Sequence, residues 1–285
     1  MTAELFRQII TRGGAVDLSS RAKFRLTGAD RVRYLNGQLT NDVRRVNSGS
    51  TLYACVTDAK GRVAADVFMH AVEDALVLDA EADLREALAA RLERYIVADD
   101  VELTDVTDQW QLWHVFGDSG RFPGLLSERC GVKGVDLWLP VGAAPPALDS
   151  LPVLSAAEWE TWRVLQQIPR WPHEINAQTF PAEAGLETRA MDFSKGCYIG
   201  QEVLSRIKTT GKMPREMIAF EADGIIAVGE ELWCEKPVGT VTSVVIHPES
   251  GRSIGLAMLK QGSSALALHT ASGIALCLLC QRSSL

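Results

Sequence analysis

Between residues 50 and 117 the sequence reads strand, strand, strand, helix, strand, strand, and that order leaves few folds open. TLYACVTDAKGRVAADVFMHAVEDALVLDAE has strand character and is cut by turns at Asp58-Ala59-Lys60-Gly61 and at Glu73-Asp74. Leu84, Leu88, Leu92 and Ile96 then recur at helical spacing. VELTDVT and QLWHVFG return to strand character. The result is an α+β layer built on an antiparallel sheet.

The flanking segments extend this plan. Residues 3–12 suit a short helix, and DLSSRAKFRLTG at 17–28 alternates as a strand does. In LTGADRVRYLNG, Thr27 and Asp30 have capping-box spacing, and Asn36-Gly37 is a pair suited to ending the helix at positive φ. VGAAPPALDSLP at 141–152 reads as a loop or linker, and AAEWETWRVLQQI at 156–168 as a helix. GKMPRE at 211–216 marks a boundary. Beyond it EMIAFEA, GTVTSVVIH, RSIGLAML and IALCLL recur as short strands between Gly, Pro and Ser, the pattern of a small β-barrel or sandwich. Two units are expected, residues 1–210 and a β-barrel domain over 211–285.

The net charge of −7 gives the whole surface no attraction for nucleic acid or anionic membrane. No apolar run approaches the roughly 18 residues of a spanning helix, and MTAELFRQIITRGG lacks the apolar core of a signal peptide. The six cysteines have no disulfide-framework spacing, which points to a reducing setting, the cytoplasm or, in a eukaryote, a matrix-like compartment. CLLC at 277–280 is expected to supply two core cysteines, because no second Cys or His pair completes a zinc site.

Several catalytic signatures are absent. There is no G-x-x-x-x-G-K-[ST], G-x-G-x-x-G or G-x-S-x-G, and HEINA at 173–177 lacks the second histidine of H-E-x-x-H. KGCYIGQEV at 195–203 stands out instead. Glycines flank Cys197 on both sides, and a helix opens near Ile199. Lys195 and that helix N-terminus could each lower the thiol pKa, and a buried structural cysteine in a turn fits the same residues.

KGCYIGQE resembles the signature of the YgfZ family, folate-binding relatives of the glycine-cleavage T-protein that include a mitochondrial iron–sulfur assembly factor. YLNGQLTNDV at 34–43, DAKGRVAADV at 58–67 and GVDLWLP at 134–140 are similar to further family segments, so the resemblance covers most of the first 215 residues. FPAEAGLE at 180–187 looks closer to the T-protein itself. The resemblance implies a T-protein-like fold of interleaved antiparallel α/β subdomains around a central cavity, plus a C-terminal β-barrel.

It also implies tetrahydrofolate as cofactor. Asp136 aligns with the acid that holds the pterin edge, and Asp66 with the region of the T-protein's catalytic aspartate. That enzyme has two adjacent acids where this chain has Ala65-Asp66. Arg163 matches a family arginine and, like the cluster Arg206, Lys208, Lys212 and Arg215, is a candidate for the glutamate tail. Asn41, with Asp42, marks a corner facing the cavity, and Tyr198 stands next to the motif cysteine. Cys197 and Lys195 carry the chemistry implied by the resemblance. The function implied is a tetrahydrofolate-binding protein supporting iron–sulfur cluster assembly or repair, with iron–sulfur proteins or assembly factors as partners. The alternatives are a folate-dependent aminomethyltransferase or demethylase, and a non-enzymatic adaptor that senses folate.

Overall fold

The computed structural model describes residues 1–117, 119–144, 146–148 and 151–280. Residues 145, 149 and 150 of the expected 141–152 loop lie outside the described residues. The chain begins with α1 (Ala3–Arg12) and β1 (Gly13–Asp17). Then come β2 (Ala22–Thr27), α2 (Arg31–Gln38), β3 (Leu52–Thr57), β4 (Val63–Val72), β5 (Ala75–Ala80), α3 (Arg85–Glu93) and β6 (Glu102–Asp105). Next are β7 (Trp110–Gly117), β8 (Leu125–Ser127), β9 (Gly134–Pro140), β10 (Val153–Leu154) and α4 (Ala156–Leu165). After α5 (Glu187–Ala190) and α6 (Gln201–Thr210) the strands are β11 (Arg215–Ala222), β12 (Glu231–Trp233), β13 (Pro237–Ile246), β14 (Ser253–Lys260), β15 (His269–Thr270) and β16 (Leu276–Leu279).

Three sheets result. One has the order β10-β1-β7-β9-β8, the second β3-β4-β5-β2-β6, and the third β15-β12-β13-β14-β11-β16. β1 belongs to the first sheet, β2 to β6 to the second, and β7 to β10 to the first again, so the first two subdomains interleave along the chain. The third sheet uses only strands from Arg215 onward, and its two edges meet through the His269–Ala275 bridge and a bond from the Leu276 N–H to the Leu268 carbonyl. Phe24, Leu26 and Leu78 of the second sheet pack against Leu35 of α2 and Leu88 and Leu92 of α3. Every residue of β5 is buried, as expected of a strand between two others with its faces covered. No helix among the described residues is long and apolar enough to cross a membrane.

Several local expectations are corrected. The 17–28 stretch holds the end of one strand and the start of another, because Asp17 accepts a bond from the Ser19 N–H and turns the chain. Thr27 stays in β2, and the α2 N-cap is Asp30, whose side chain accepts from the Asp100 N–H instead of capping its own helix. Asn36 and Gly37 lie inside α2, which runs on to Gln38 and is capped by Leu39 in extended conformation. Cys277 and Cys280 are both exposed: Cys277 is the exposed residue of β16, and Cys280 lies just past its end. The strong cap occurs at α4, where Ser155 and Glu158 form a reciprocal capping box.

Candidate functional site

The motif loop is fixed by its lysine. Lys195 is buried, and its Nζ donates to the carbonyls of Asn36, Leu39 and Asn41 at 2.6, 2.6 and 2.9 Å. An ammonium has three donors, so none remains for Cys197. Burial pulls the amine down to about 8, against the opposing charges of Asp42 and Asp192. Asn41 completes the corner: its Nδ2 donates to the Tyr53 carbonyl at 2.9 Å and its Oδ1 accepts from the Asp42 N–H. The LTND corner and the KGCYIGQE loop are therefore one unit, held across about 150 residues of sequence by one side chain.

Cys197 is exposed, while Tyr198 beside it is buried in a cluster with Phe180, Met191, Leu204 and Ile207. The Tyr198 ring lies 5.0 Å from Lys195 Nζ, and its buried hydroxyl has no partner. Burial raises that hydroxyl to about 12. The next turn docks on the β3–β4 hairpin: Thr57 Oγ1 donates to the Ile199 carbonyl at 2.5 Å, and the Ile199 N–H donates to the Gly37 carbonyl at 3.1 Å.

A second centre lies in a cleft between the subdomains, lined by Tyr53, Asp66, Arg21, Glu81 and Arg170 among others. Asp66 on β4 faces Cys55 in the β3–β4 ladder. Its Oδ2 accepts from the Tyr53 hydroxyl at 3.0 Å, while its buried Oδ1 has no partner. Burial raises the Asp66 carboxyl above the ordinary range; Arg21 opposes this and Glu81 reinforces it. Arg21 Nη2 and Arg170 Nε are likewise buried without partners. Residues carrying two such donors and one such acceptor thus line one cleft beside the stacked rings of Tyr53 and Phe68, 4.4 Å apart. No residue of 195–200 lines it.

Asp136 does not line this cleft, Arg163 does, and both have their polar atoms taken by protein partners. Asp136 is buried on β9, and both its oxygens accept from Arg129, while His114 Nδ1 sits 2.6 Å from Oδ1. Burial would raise this carboxyl, but Arg129 and His114 outweigh it and hold it well below the usual range. Arg163 donates to Glu160 twice, to Glu174, to Ser243 Oγ and to the Ile168 carbonyl. Those bonds use all five guanidinium donors, so Arg163 joins α4 to β13 and has none left for a glutamate tail. Of the basic cluster, Arg215 pairs with Glu183 at 3.2 Å, and Lys208 Nζ sits 3.8 Å from the Phe193 ring centre.

Sequence reasoning missed Arg129, Tyr53, Arg21, Glu81 and Arg170. Arg129 stands in SERCG, which has no motif character, and its partners Asp79 and Asp136 lie on different sheets. Only the apolar run around VLDAE hinted at Asp79, as an acid in a strand that must be buried and hence paired.

Residues 2–121 match the GCVT N-terminal domain. The fold is similar to that of an aminomethyltransferase: the glycine cleavage system aminomethyltransferase T of Bartonella henselae superposes with a TM-score of 0.84 at 17% identity, covering 96% of this chain and 87% of that one. The chain thus shares an N-terminal domain and a fold with aminomethyltransferases. It is 27% identical to an aminomethyltransferase of Rubrobacter xylanophilus over 87% of this chain and 76% of that protein. It is 29% identical to the mitochondrial iron–sulfur cluster assembly factor IBA57 homolog of Pyricularia oryzae, over 90% of this chain and 71% of that protein.

Proposed function

We propose that this protein binds tetrahydrofolate in the cleft at Asp66 and supports iron–sulfur cluster assembly or repair through the thiol of Cys197. The observation that carries the ligand is the set of unpartnered buried atoms, Asp66 Oδ1, Arg21 Nη2 and Arg170 Nε, at one cleft. A pterin edge offers N–H donors beside a carbonyl acceptor, which matches that set, and a flat ring suits the Tyr53–Phe68 wall. Asp66 takes the role that the resemblance puts on Asp136, whose oxygens are occupied. The cleft holds about 50 Å³, room for a few waters. Entry of a pterin therefore needs Arg170 to swing aside, and Arg170 is held only by ion pairs of 3.4 and 3.5 Å to Glu81 and Glu160.

The iron–sulfur role rests on the similarity to IBA57 homologues together with the exposed motif thiol. Among the described residues no three His, Cys, Asp or Glu side chains gather as a metal site. A cluster met by Cys197 would take its other ligands from a partner protein.

The test has two arms. Calorimetric titration with tetrahydrofolate should show saturable binding that Asp66→Ala loses. Cys197→Ala should keep that binding and fail to restore an iron–sulfur enzyme in cells lacking the protein. Full restoration by Cys197→Ala would remove the thiol from the function, and absence of tetrahydrofolate binding in the wild type would remove the ligand.

One observation favours one-carbon transfer as a second reading. Asp66, with its raised pKa and free oxygen, has the properties of a general base toward an amine in the cleft. Methylene-tetrahydrofolate formation from an S-aminomethyl thioether, whose carbon already stands at the formaldehyde level and which releases ammonia and a thiol, tests it; the product should be lost in Asp66→Asn.

A further inference from the structure

A larger cleft, of about 530 Å³, lies on the motif side of the molecule and shares no lining residue with the cleft at Asp66. That is the volume of a working binding site. Its floor is apolar and adaptable: Ala182, Met191, Phe193, Ile207 and Met213. Its rim is charged. Arg45 and Lys208 stand on it with Glu187 and Asp192, and exposed Lys212 lies between the wall residues Gly211 and Met213.

The charges are unequally free. Asp192 Oδ1 accepts from both the N–H and the hydroxyl of Ser194, and Oδ2 lies 3.5 Å from Arg45. Lys208 rests on the Phe193 ring with its ammonium exposed, and Arg45 keeps 66% of its side chain in solvent. In a chain of net charge −7, this rim carries three cations against two acids, and the Arg45–Asp192 contact leaves two lysines against Glu187.

The cleft is also tied to the thiol. Met191 and Ile207 belong to the same cluster as Tyr198, the neighbour of Cys197. Cys197 is four positions after Phe193, so their Cα atoms lie within about 14 Å.

We propose that this cleft docks an acidic peptide segment of a partner protein, with one bulky apolar side chain on the methionine-lined floor and flanking carboxylates on Lys208, Lys212 and Arg45. A docked segment holds its protein beside Cys197. The inference does not depend on folate, because the two clefts are separate.

Random peptides displayed on phage, selected on the full-length protein and counter-selected on a Met213→Trp, Lys208→Glu double variant, test it directly. Met213 is half-buried and Lys208 exposed, so both sites tolerate change, and a thermal melt of each variant verifies folding. The expected survivors carry Asp or Glu around an aromatic or Leu, and a synthetic consensus peptide loses about tenfold or more in affinity on Lys208→Glu alone. Survivors without acids, or none that distinguish wild type from the double variant, would overturn the proposal. Tetrahydrofolate titration of Met213→Trp should match the wild type, so the outcome here is separable from that of the folate reading.

Discussion

Arg129 grips Asp136 through three hydrogen bonds of 2.6 to 3.1 Å, with both side chains buried. The same guanidinium donates twice to Asp79 at 3.0 Å and lies over the Phe68 ring. Asp136 is on the first sheet and Asp79 on the second, so one cation joins the two interleaved subdomains. Removing Asp136 leaves Arg129 sharing Asp79 with Arg21 and leaves His114 Nδ1 without its partner, so the buried cations are under-compensated. Asp136→Ala should lower unfolding free energy by about 3–5 kcal/mol in urea titrations. A loss below about 1 kcal/mol would show that water reaches the site.

Asp66 behaves in the opposite sense. Burial raises its carboxyl above the ordinary value of 3.8, so the folded state keeps the proton longer than the unfolded chain does. Stability then falls as pH climbs from the ordinary value to the raised one, and stays lower above it. Asp66→Asn should therefore be more stable than the wild type at neutral pH and equal to it in strong acid. The same variant should bind tetrahydrofolate roughly tenfold to hundredfold more weakly, the worth of a charge-assisted hydrogen bond. Thermal melts across pH, paired with calorimetry, measure both. A variant less stable at neutral pH would mean the carboxylate is needed for the fold.

Lys195 holds the motif loop through three buried carbonyls. Lys195→Met should cost about 3 kcal/mol or more, because the carbonyls of Asn36, Leu39 and Asn41 lose a charged donor. Hydrogen exchange at the Ile199 amide, bonded to the Gly37 carbonyl, should accelerate. Lys195→Arg should fail to rescue, since a planar guanidinium cannot point three donors at one converging set. Unchanged exchange at Ile199 in Lys195→Met would show that the loop is held by its apolar contacts alone.

The sequence showed the antiparallel layer, the interleaving through family resemblance, and the motif loop. Periodicity and turn residues are local, and they placed β3, β4, β5 and α3 correctly. It could not show that Lys195 reaches back to Leu39, because nothing local encodes a bond between residues 156 apart. The same holds for Asp136, which looks like any strand aspartate until Arg129 comes from the β8–β9 connection. Thr27 and Asp30 had the spacing of a capping box, yet pairing of β2 with β6 claims Thr27 first.

His70 gives an acid-side signature. Burial lowers its pKa to about 4 from 6.5, with Asp79 and Asp136 pulling the other way. The unfolded chain takes up the proton first, so this site removes stability as pH falls from 6.5 to about 4. The shift corresponds to roughly 3 kcal/mol at the acid end. His70→Gln should flatten the stability profile over that window and leave it unchanged above neutrality. Parallel profiles for wild type and variant would place the acid sensitivity elsewhere.

The two glycines around Cys197 look equivalent in sequence and are not. Gly200 has φ of +86°, and a Cβ there would lie 2.6 Å from the Asp58 carbonyl oxygen and 2.9 Å from Gly61 Cα. A Cβ on Gly196 meets nothing within 4 Å, and its φ is not in the positive range. Gly200→Ala should thus cost about 2 kcal/mol or more, from the left-handed backbone plus the clash, and should loosen the loop from the β3–β4 hairpin. Gly196→Ala should stay within about 0.5 kcal/mol of wild type. If alanine at 196 nonetheless abolishes function while the fold is intact, a partner approaches the backbone beside the thiol, and the glycine serves binding. If both variants fold and function normally, the docking of the loop on the hairpin has no part in presenting Cys197.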